Sequence, residues 1–348
     1  MKVAFVGMMQ SGKSTLLAAV SGKPLPQVGS VNIEELIVPV PDERLDWLTK
    51  LYQPHKTVHG TVDCLDLPGL SFEDEHGRAA ARRFLSQVRT VDLFVLIIGA
   101  YASDADPVRD LISLKTELML ADLELVCTRI ERLEKQVNKP SKTQAQDKAE
   151  LEMQKRLQEV IESEKPIRSA IHNEQELAVI KSLGFFTLKP MMVVINVAEN
   201  QRDRTFDLSR AIDPATQVVT LCAPLEYELS QLDEASRKEF MSDLGITRPA
   251  VAQFMQSCYS TLGLISFLTV GKDEVRAWPI PKGTSAHDAA GKVHSDIKRG
   301  FIRAETIAYP DIQQYGDEKG CKAAGKMRLE GKGYIVQDGD IICYRFNV

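Results

Sequence analysis

A phosphate-binding signature lies near the start of the chain. Residues 7–14 read Gly-Met-Met-Gln-Ser-Gly-Lys-Ser and satisfy the pattern G-x-x-x-x-G-K-[ST]. An apolar run at 3–6 precedes the motif and a helix-forming stretch follows it, which is the strand–loop–helix context that the pattern requires. Glycines let backbone N–H groups turn toward phosphate oxygens, and the start of a helix adds its positive end. We therefore predict a nucleotide phosphate site in which Lys13 reaches the outer phosphates and Ser14 binds Mg²⁺.

A second motif supplies the carboxylate that such a site needs. The sequence Cys-Leu-Asp-Leu-Pro-Gly-Leu places Asp66 at the end of a candidate strand and Gly69 shortly after it, in the D-x-x-G pattern of phosphate-loop GTPases. In that class the Asp holds the metal ion through water and the glycine amide senses the γ-phosphate. Leu70 follows, where Ras-like enzymes place a glutamine that orients the attacking water. Because leucine cannot hydrogen-bond water, hydrolysis is either slow or dependent on another group, and a packing role for Leu70 fits both cases.

The base-reading motif departs from the guanine-specific pattern N-K-x-D. The strand candidate at 191–197 leads into Asn196-Val197-Ala198-Glu199, so valine replaces the lysine and the longer glutamate replaces the aspartate. A mismatched polar contact weakens discrimination between bases, so we expect relaxed specificity or a preference for adenine. Cys222 and Ala223 occupy the place of the loop that backs the base in GTPases.

These motifs together define the candidate site. The predicted nucleotide-binding residues are Gly7, Gln10, Ser11, Gly12, Lys13, Ser14, Thr15, Asn196, Val197, Glu199, Cys222 and Ala223. Lys13 and Gly69 are the predicted catalytic residues, by charge stabilisation and γ-phosphate sensing, because no general base can be assigned. Ser14 and Asp66 are the predicted metal ligands, Ser14 directly.

Composition restricts the class of protein. The 348 residues are 44% hydrophobic and 26% charged with a formal net charge of −5, which is typical of a globular protein and argues against extensive coating of nucleic acid. The six cysteines form no CxxC pair, so neither a zinc site nor a disulfide framework is indicated. No apolar run approaches the roughly 18 residues that span a membrane. We therefore expect a cytoplasmic protein that binds neither membranes nor DNA.

The wider pattern predicts the elements that position these motifs. Short apolar runs at 3–6, 91–100, 191–197 and 218–222, with a less apolar one at 58–67, indicate the buried strands of an α/β domain. From residue 111 apolar residues recur in steps of three and four, which predicts a coiled-coil-like helical hairpin. The predicted divisions are an α/β domain at 1–110 and 186–270, an inserted hairpin at 111–185 and a small α+β module at 271–348.

Several segments resemble the YchF subfamily of Obg-related phosphate-loop nucleotidases. They include "VPVPDERLD" at 38–46, "LKPMMVVINVAE" at 188–199, "EVRAWPIPKGT" at 274–284 and "GKGYIVQDGDIICYRFNV" at 331–348. The resemblance covers essentially the whole chain. It implies a P-loop GTPase-type G domain with an inserted coiled-coil hairpin and a C-terminal TGS module of ubiquitin-like β-grasp fold. It also implies Mg²⁺-dependent hydrolysis of ATP, often in preference to GTP, and association with ribosomes.

The sequence departs from that family near the phosphates. Met9-Gln10-Ser11 stands where the family has Pro-Asn-Val, and the longer Gln10 makes activation by K⁺ doubtful. The segment after Leu70 is acidic and then Ala/Arg-rich, which favours helix over a mobile switch. The loop at 99–110 lacks the histidine proposed as catalytic in the family. Ser30 is the nearest match to the magnesium-linked threonine of the first switch.

The function that we predict is a slow ATP/GTP hydrolase that acts as a ribosome- or RNA-associated regulator of translation. ATP or GTP, and the ribosome or its RNA, are the expected partners of a monomeric chain. A nucleotide-binding switch with negligible hydrolysis is the main alternative, favoured by Leu70 and the missing histidine. A small-molecule kinase is disfavoured by the D-x-x-G and N-x-x-E motifs.

Overall fold

The computed structural model describes residues 1–25, 32–140 and 142–347. The chain forms two compact units. The first contains Met1–Leu36 and Cys64–Asp233, and the second contains Ile37–Asp63 and Glu234–Val348. This division differs from the predicted one, because a segment from the first half of the sequence and the residues just before 271 belong with the C-terminal module.

The described residues contain the following strands and helices. The strands are β1 (Lys2–Val6), β2 (Glu34–Pro39), β3 (Lys56–Val58), β4 (Thr61–Asp66), β5 (Leu93–Gly99), β6 (Met191–Asn196), β7 (Gln217–Leu221), β8 (Leu264–Thr269), β9 (Glu274–Pro281), β10 (Phe301–Ala308), β11 (Arg328–Glu330) and β12 (Asp340–Phe346). The helices are α1 (Lys13–Ser21), α2 (Glu43–Tyr52), α3 (Glu75–Gln87), α4 (Pro107–Val137), α5 (Gln144–Glu162), α6 (Glu174–Leu183), α7 (Ala223–Gln231), α8 (Glu234–Asp243), α9 (Ala250–Thr261), α10 (Ala286–Val293), α11 (Ser295–Arg299), α12 (Tyr309–Tyr315) and α13 (Glu318–Ala323). Within these residues no helix is both long and apolar enough to span a bilayer.

The first unit is built on a sheet of strand order β2-β4-β1-β5-β6-β7. The pairs β1–β5, β5–β6 and β6–β7 are parallel, so their carboxyl ends meet at one edge. The buried runs Val3–Val6 and Leu93–Ile98 confirm the expectation of strands covered on both faces. The predicted run at 58–67 is corrected: it is interrupted, and only Thr61–Asp66 joins this sheet as β4.

The predicted helical hairpin is present as α4 and α5, which end at Val137 and Glu162. Helix α4 starts after Asp106, whose carboxylate accepts the Arg109 N–H at 3.0 Å, and Pro107 opens its first turn. Its buried positions follow the predicted seam and pack against those of α5. The residues in that apolar contact include Val126, Ile130, Leu133, Met153, Leu157 and Ile161.

The second unit contains a mixed sheet of order β11-β10-β12-β8-β9-β3. Helix α10 covers one face through Ala286, Ala289 and Ala290, which matches the expected β-grasp arrangement of sheet and helix. Strand β3 pairs in parallel with β9, and α2 buries Leu45 and Leu48 in the same unit. The segment 37–63, which sequence patterns assigned to the first domain, therefore belongs to the second unit and adds β3 to its sheet.

Candidate functional site

The phosphate loop connects the end of β1 to the start of α1 at the carboxyl edge of the first sheet. Gly12 has a φ of +91° and Gln10 a φ of +60°, so two residues of the loop adopt the left-handed conformation. A Cβ on Gly7 would lie 2.6 Å from Ser11 Oγ, and one on Gly12 would overlap Asn196 Nδ2. These close approaches explain why glycine is needed at both ends of the motif.

Lys13, Ser14 and Asp66 form a compact polar cluster at the start of α1. Lys13 is 5% exposed, and its Nζ donates to the Met8 carbonyl at 3.4 Å. Ser14 Oγ donates to Asp66 Oδ2 at 2.8 Å, which confirms that the two motifs meet. Burial lowers the pKa of Lys13, and the negative charge of Asp66 opposes this shift. Burial likewise raises the pKa of Asp66, against the Ser14 hydrogen bond and the Lys13 charge.

The oxygen atoms of this cluster fit a magnesium ion. Asp66 Oδ1 is buried and has no hydrogen-bond partner, and Ser14 Oγ lies beside the same carboxylate. A hydroxyl and a carboxylate are ligands that suit Mg²⁺, which is held by a few protein oxygens together with substrate phosphates. The described part of the chain contains no group of three or more His, Cys, Asp or Glu residues that could hold a metal ion. Ser30 lies outside the described residues.

The segment after Asp66 is attached to the phosphate loop by backbone hydrogen bonds. Leu70 N–H donates to the Gly7 carbonyl at 3.1 Å, and Met9 N–H donates to the Leu70 carbonyl at 3.1 Å. A Cβ on Gly69 would lie 2.9 Å from Met9 Cα, so only glycine allows this contact. The Leu70 side chain is 1% exposed and packs in the hydrophobic core. Leu70 therefore has a packing role.

Asn196 links three parts of the site. Its Nδ2 donates to the Ser11 carbonyl at 3.1 Å, and its Oδ1 accepts the Ala223 N–H at 2.9 Å. The side chain is 3% exposed. The structure thus uses both ends of the Asn196 amide to fix the phosphate loop and the start of α7. Val197, which replaces the usual lysine, is 1% exposed and borders the cavity described next.

A cavity of about 520 Å³ lies beside the phosphate loop, at the carboxyl ends of β5, β6 and β7. Its walls include the predicted residues Gln10, Gly12, Thr15, Asn196, Val197, Glu199 and Cys222. The other predicted residues, Gly7, Ser11, Lys13, Ser14 and Ala223, lie in the adjoining loop and helix starts. Glu199 is exposed at the cavity, and burial raises the pKa of the Cys222 thiol. Ligands bind at this edge of parallel sheets, so the cavity is the candidate base pocket.

Comparison with known proteins identifies the family. A family model described as a 50S ribosome-binding GTPase matches residues 2–197, and a model of the YchF GTPase C-terminal region, described as a protein of unknown function, matches residues 264–347. A ribosome-binding ATPase YchF from Bacillus subtilis (strain 168) is 38% identical, over 99% of this chain and 98% of that protein. The chain belongs to the YchF family.

Further relatives agree with the YchF assignment. Obg-like ATPase 1 of Bos taurus is 33% identical, over 100% of this chain and 92% of its own length. The structure of the Schizosaccharomyces pombe YchF GTPase superposes with a TM-score of 0.81 at 29% identity, covering 99% of this chain and 97% of that one. The predicted fold class is therefore confirmed. The C-terminal YchF model begins at residue 264, which is also the first residue of β8.

The segment that distinguishes this YchF chain after Leu70 is a helix, as its composition predicts. Helix α3 begins after Asp74, whose carboxylate accepts the Gly77 N–H at 2.6 Å. Arg78 and Arg82 each approach a glutamate of α4 at 3.7 Å. The part of the chain that follows Gly69 is thus linked to the helical hairpin by ion pairs.

Sequence reasoning missed several residues of the cavity. Pro224, Leu225 and Glu228 line it without belonging to any motif, and Ala198 lines it as an unassigned position within the base-reading motif. Tyr101 also lines it, and its hydroxyl donates to the Gln10 carbonyl. One signal was available for Tyr101: it follows the carboxyl end of β5, and side chains at that edge of a parallel sheet face the ligand site.

Proposed function

We propose that this YchF chain is a Mg²⁺-dependent nucleoside triphosphate hydrolase that acts in association with the ribosome. The observation that carries the proposal is the Lys13–Ser14–Asp66 cluster at the start of α1, next to a cavity that reaches Glu199. The printed names of the relatives, which include ribosome-binding ATPases, support the same function. We infer ATP or GTP as ligand, with relaxed or adenine-leaning specificity.

Phosphate binding follows from the loop and Lys13. The backbone N–H groups from Gln10 to Ser14 and the start of α1 provide donors and positive potential for phosphate oxygens. The Lys13 ammonium has one long contact, 3.4 Å to the Met8 carbonyl, which a phosphate oxygen can replace. Burial disfavours the charged form of Lys13, and an anionic phosphate restores it.

Ser14 and Asp66 are the residues that would hold Mg²⁺, with Thr15 in the same environment. When bound, the ion neutralises charge on the β- and γ-phosphates. The chain itself supplies Ser14 Oγ and the unpartnered Asp66 Oδ1. For the base, the Asn196 amide is engaged by Ser11 and Ala223, so Glu199 is the polar side chain of the N-x-x-E motif that remains for base recognition.

Hydrolysis would proceed by in-line attack of water on the γ-phosphorus. The bond from water oxygen to phosphorus forms while the bond to the β–γ bridging oxygen breaks, and the nucleoside diphosphate leaves with that electron pair. Lys13 and the Gly69 N–H would stabilise the charge on the γ-phosphoryl group. We propose that turnover is slow, because the Leu70 side chain is buried where Ras-like enzymes orient the water. The same observation favours a regulatory switch with negligible hydrolysis as the second candidate.

Single-turnover hydrolysis of ATP and GTP with Mg²⁺, with and without K⁺, separates the two candidates. The Lys13→Ala variant is the test, and Lys23→Ala, which removes an exposed lysine just beyond α1, is the matched control. We expect a measurable rate in the unmodified chain and in Lys23→Ala, and none in Lys13→Ala. If the unmodified chain hydrolyses no faster than Lys13→Ala, the hydrolase is refuted and the regulatory switch is the candidate that remains.

Base preference and ribosome association need separate measurements. Titration with ATP and GTP in the presence of Mg²⁺ should give similar affinities or tighter ATP binding, and Glu199→Ala should change the ratio of the two. A strong preference for GTP would refute the inference drawn from Asn196 and Glu199. Co-sedimentation with ribosomes in ATP and in ADP should show a difference between the two states. Equal absence of the protein from both pellets would refute ribosome association.

A further inference from the structure

Gln10 adopts a backbone conformation that its side chain does not favour. Its φ is +60°, the left-handed region in which a Cβ crowds the following carbonyl. Gln10 and its neighbour Met9 are both exposed, and Met9 is 64% exposed. Packing of these side chains therefore does not hold the loop, and another interaction must maintain the conformation of Gln10.

Two hydrogen bonds hold the peptide that follows Gln10: the Ser11 N–H donates to the Met8 carbonyl at 3.3 Å, and the Gln10 carbonyl accepts from Tyr101. The Tyr101 hydroxyl donates to the Gln10 carbonyl although the two residues are far apart in sequence. The position of Tyr101 is itself fixed, because the preceding Ala100 is 1% exposed and its N–H donates to the Asn196 carbonyl at 2.7 Å. The tyrosine thus extends from the rigid end of β5 to the phosphate loop.

Two successive carbonyl groups of the loop are held by side chains from adjacent strands. Tyr101, after β5, holds the carbonyl of Gln10, and Asn196, at the end of β6, holds that of Ser11. In a trans peptide the N–H points opposite to the carbonyl of the preceding residue. Fixing these two carbonyls therefore directs the N–H groups of Ser11 and Gly12 away from Tyr101 and Asn196.

We propose that Tyr101 is a positioning residue for phosphate binding, which acts through the Gln10 carbonyl. The inference rests on the proposed nucleotide-binding function. Without the hydroxyl, the peptide between Gln10 and Ser11 is held only on its other side, by the Ser11 N–H that donates to the Met8 carbonyl at 3.3 Å. Rotation that directs its carbonyl oxygen toward the phosphates then becomes easier. Because only the unrotated loop binds phosphate, the apparent affinity is the intrinsic affinity multiplied by the fraction of molecules that remain unrotated.

The decisive atom is the hydroxyl of Tyr101, since its ring lines the cavity in either case. A phenylalanine would preserve the wall of the cavity and lose only the hydrogen bond to Gln10. The effect of that change should therefore fall on the phosphates and leave contacts with the base unaltered. A role of Tyr101 in simple packing predicts no such distinction.

The test is Tyr101→Phe in the full chain, with Tyr309→Phe as the matched control. Tyr309 lies in the second unit, and its hydroxyl accepts the Gln313 side-chain amide at 2.8 Å. Affinities for ATP and for inorganic tripolyphosphate are measured by displacement of a fluorescent nucleotide, with Mg²⁺ present. We expect both ligands to bind about three- to tenfold more weakly to Tyr101→Phe, which corresponds to the loss of one hydrogen bond. Tyr309→Phe should bind both as the unmodified chain does.

A second variant tests whether the effect passes through Gln10. Asparagine tolerates the left-handed conformation better than glutamine. Gln10→Asn should therefore recover at least half of the affinity lost in Tyr101→Phe when the two changes are combined. The combined variant also shows whether Tyr101→Phe is folded, because a misfolded protein would not be rescued.

Three results would overturn the proposal. They are unchanged affinity in Tyr101→Phe, a loss for ATP that is absent for tripolyphosphate, and a double variant no better than Tyr101→Phe. Failure of the proposed function itself would look different. In that case the unmodified chain would not bind ATP, or Lys13→Ala would bind it equally well.

Discussion

The sharpest test of the site architecture is Gly12→Ala, compared with Gly22→Ala. Both glycines have positive φ, +91° at Gly12 and +66° at Gly22, so alanine is strained at either position. Around Gly22 a new Cβ would meet nothing within 4 Å. At Gly12 it would overlap Asn196 Nδ2 and lie 3.1 Å from Asn196 Cγ. Comparing the two variants therefore distinguishes the cost of backbone strain, which both share, from the cost of displacing Asn196, which only Gly12→Ala incurs.

The magnitudes follow from the contacts. Left-handed strain costs about 1–2 kcal/mol, and this is the whole effect expected at Gly22. At Gly12 the Asn196 side chain must also leave the Ser11 carbonyl at 3.1 Å and the Ala223 N–H at 2.9 Å. Each lost hydrogen bond costs roughly 1 kcal/mol, and leaving its buried partner unpaired adds to this. We therefore expect Gly12→Ala to lower the free energy of unfolding by about 2–4 kcal/mol more than Gly22→Ala.

The assays are urea-induced unfolding of the full chain and titration with ATP and Mg²⁺. Gly12→Ala should also lose at least about tenfold in ATP affinity, because the loop loses its support, which is worth 1.4 kcal/mol or more. Gly22→Ala should bind ATP normally. In the Asn196→Ala background, which already lacks both hydrogen bonds, the further cost of Gly12→Ala should fall to that of strain alone, since no Asn196 amide is left to displace. Equal losses of stability in Gly12→Ala and Gly22→Ala would refute the role assigned to Asn196.

The helical part of the first unit supplies three further predictions, each measured by urea-induced unfolding. Asp122→Ala should cost about 3–5 kcal/mol, because the fully buried carboxylate accepts two backbone N–H groups and the Thr187 hydroxyl at 2.9–3.0 Å and pairs with an arginine. Gln154→Met should raise stability by about 1–2 kcal/mol, because both amide atoms of this buried residue lack partners. The pKa of Glu176 lies below its ordinary value of 4.5, mainly because the carboxylate accepts the His172 N–H at 2.9 Å. The contribution of the Glu176 carboxylate to stability is therefore present above pH 4.5 and lost as the pH falls below that value. Glu176→Gln should consequently make the free energy of unfolding fall less steeply with decreasing pH in this acid range.

The predictions for Asp122 and Gln154 each have a control variant at an exposed residue, and the prediction for Glu176 is compared with the unmodified chain. Glu131→Ala, on the exposed side of α4, should change the free energy of unfolding by less than about 0.5 kcal/mol. If Asp122→Ala lowers the free energy of unfolding by no more than this control, the buried hydrogen bonds of Asp122 do not stabilise the fold. Gln136→Met, at an exposed position, should not raise the free energy of unfolding. If Gln154→Met does not raise it either, the unpaired amide of Gln154 carries no penalty. If the free energy of unfolding of Glu176→Gln falls with decreasing pH as steeply as that of the unmodified chain, the hydrogen bond from His172 contributes nothing.

Much of the site could be predicted because its motifs are local and their order is fixed. The glycine–lysine–serine loop sits between a buried strand and a helix, and D-x-x-G follows on a neighbouring strand, so the contact of Ser14 with Asp66 was expected. The hairpin could be predicted because its apolar residues repeat over many turns of helix. Long periodic segments and tight motifs carry their information in consecutive residues.

Features that depend on distant contacts could not be predicted in the same way. Strand β3 has only three residues, Lys56–Val58, and its pairing with Glu274 and its neighbours joins segments far apart in the chain. Nothing in a short, polar run indicates which sheet it joins, and the division of the chain at 37–63 was therefore missed. The orientation of the Asn196 amide was hidden for the same reason, since it depends on Ser11 and Ala223 together.

Hydrogen bonds hold the phosphate loop on two sides, and the two sides bear differently on binding and on turnover. Tyr101 and Asn196 hold loop carbonyls, which favours a loop already shaped for phosphates. On the other side, Leu70 joins the loop to the segment that leads into α3, and Arg78 links α3 to the hairpin. If Gly69 senses the γ-phosphate as proposed, its shift must work against core packing and ion pairs. The slow turnover proposed above follows from this, because the contacts that hold the loop in shape also oppose any rearrangement of this segment.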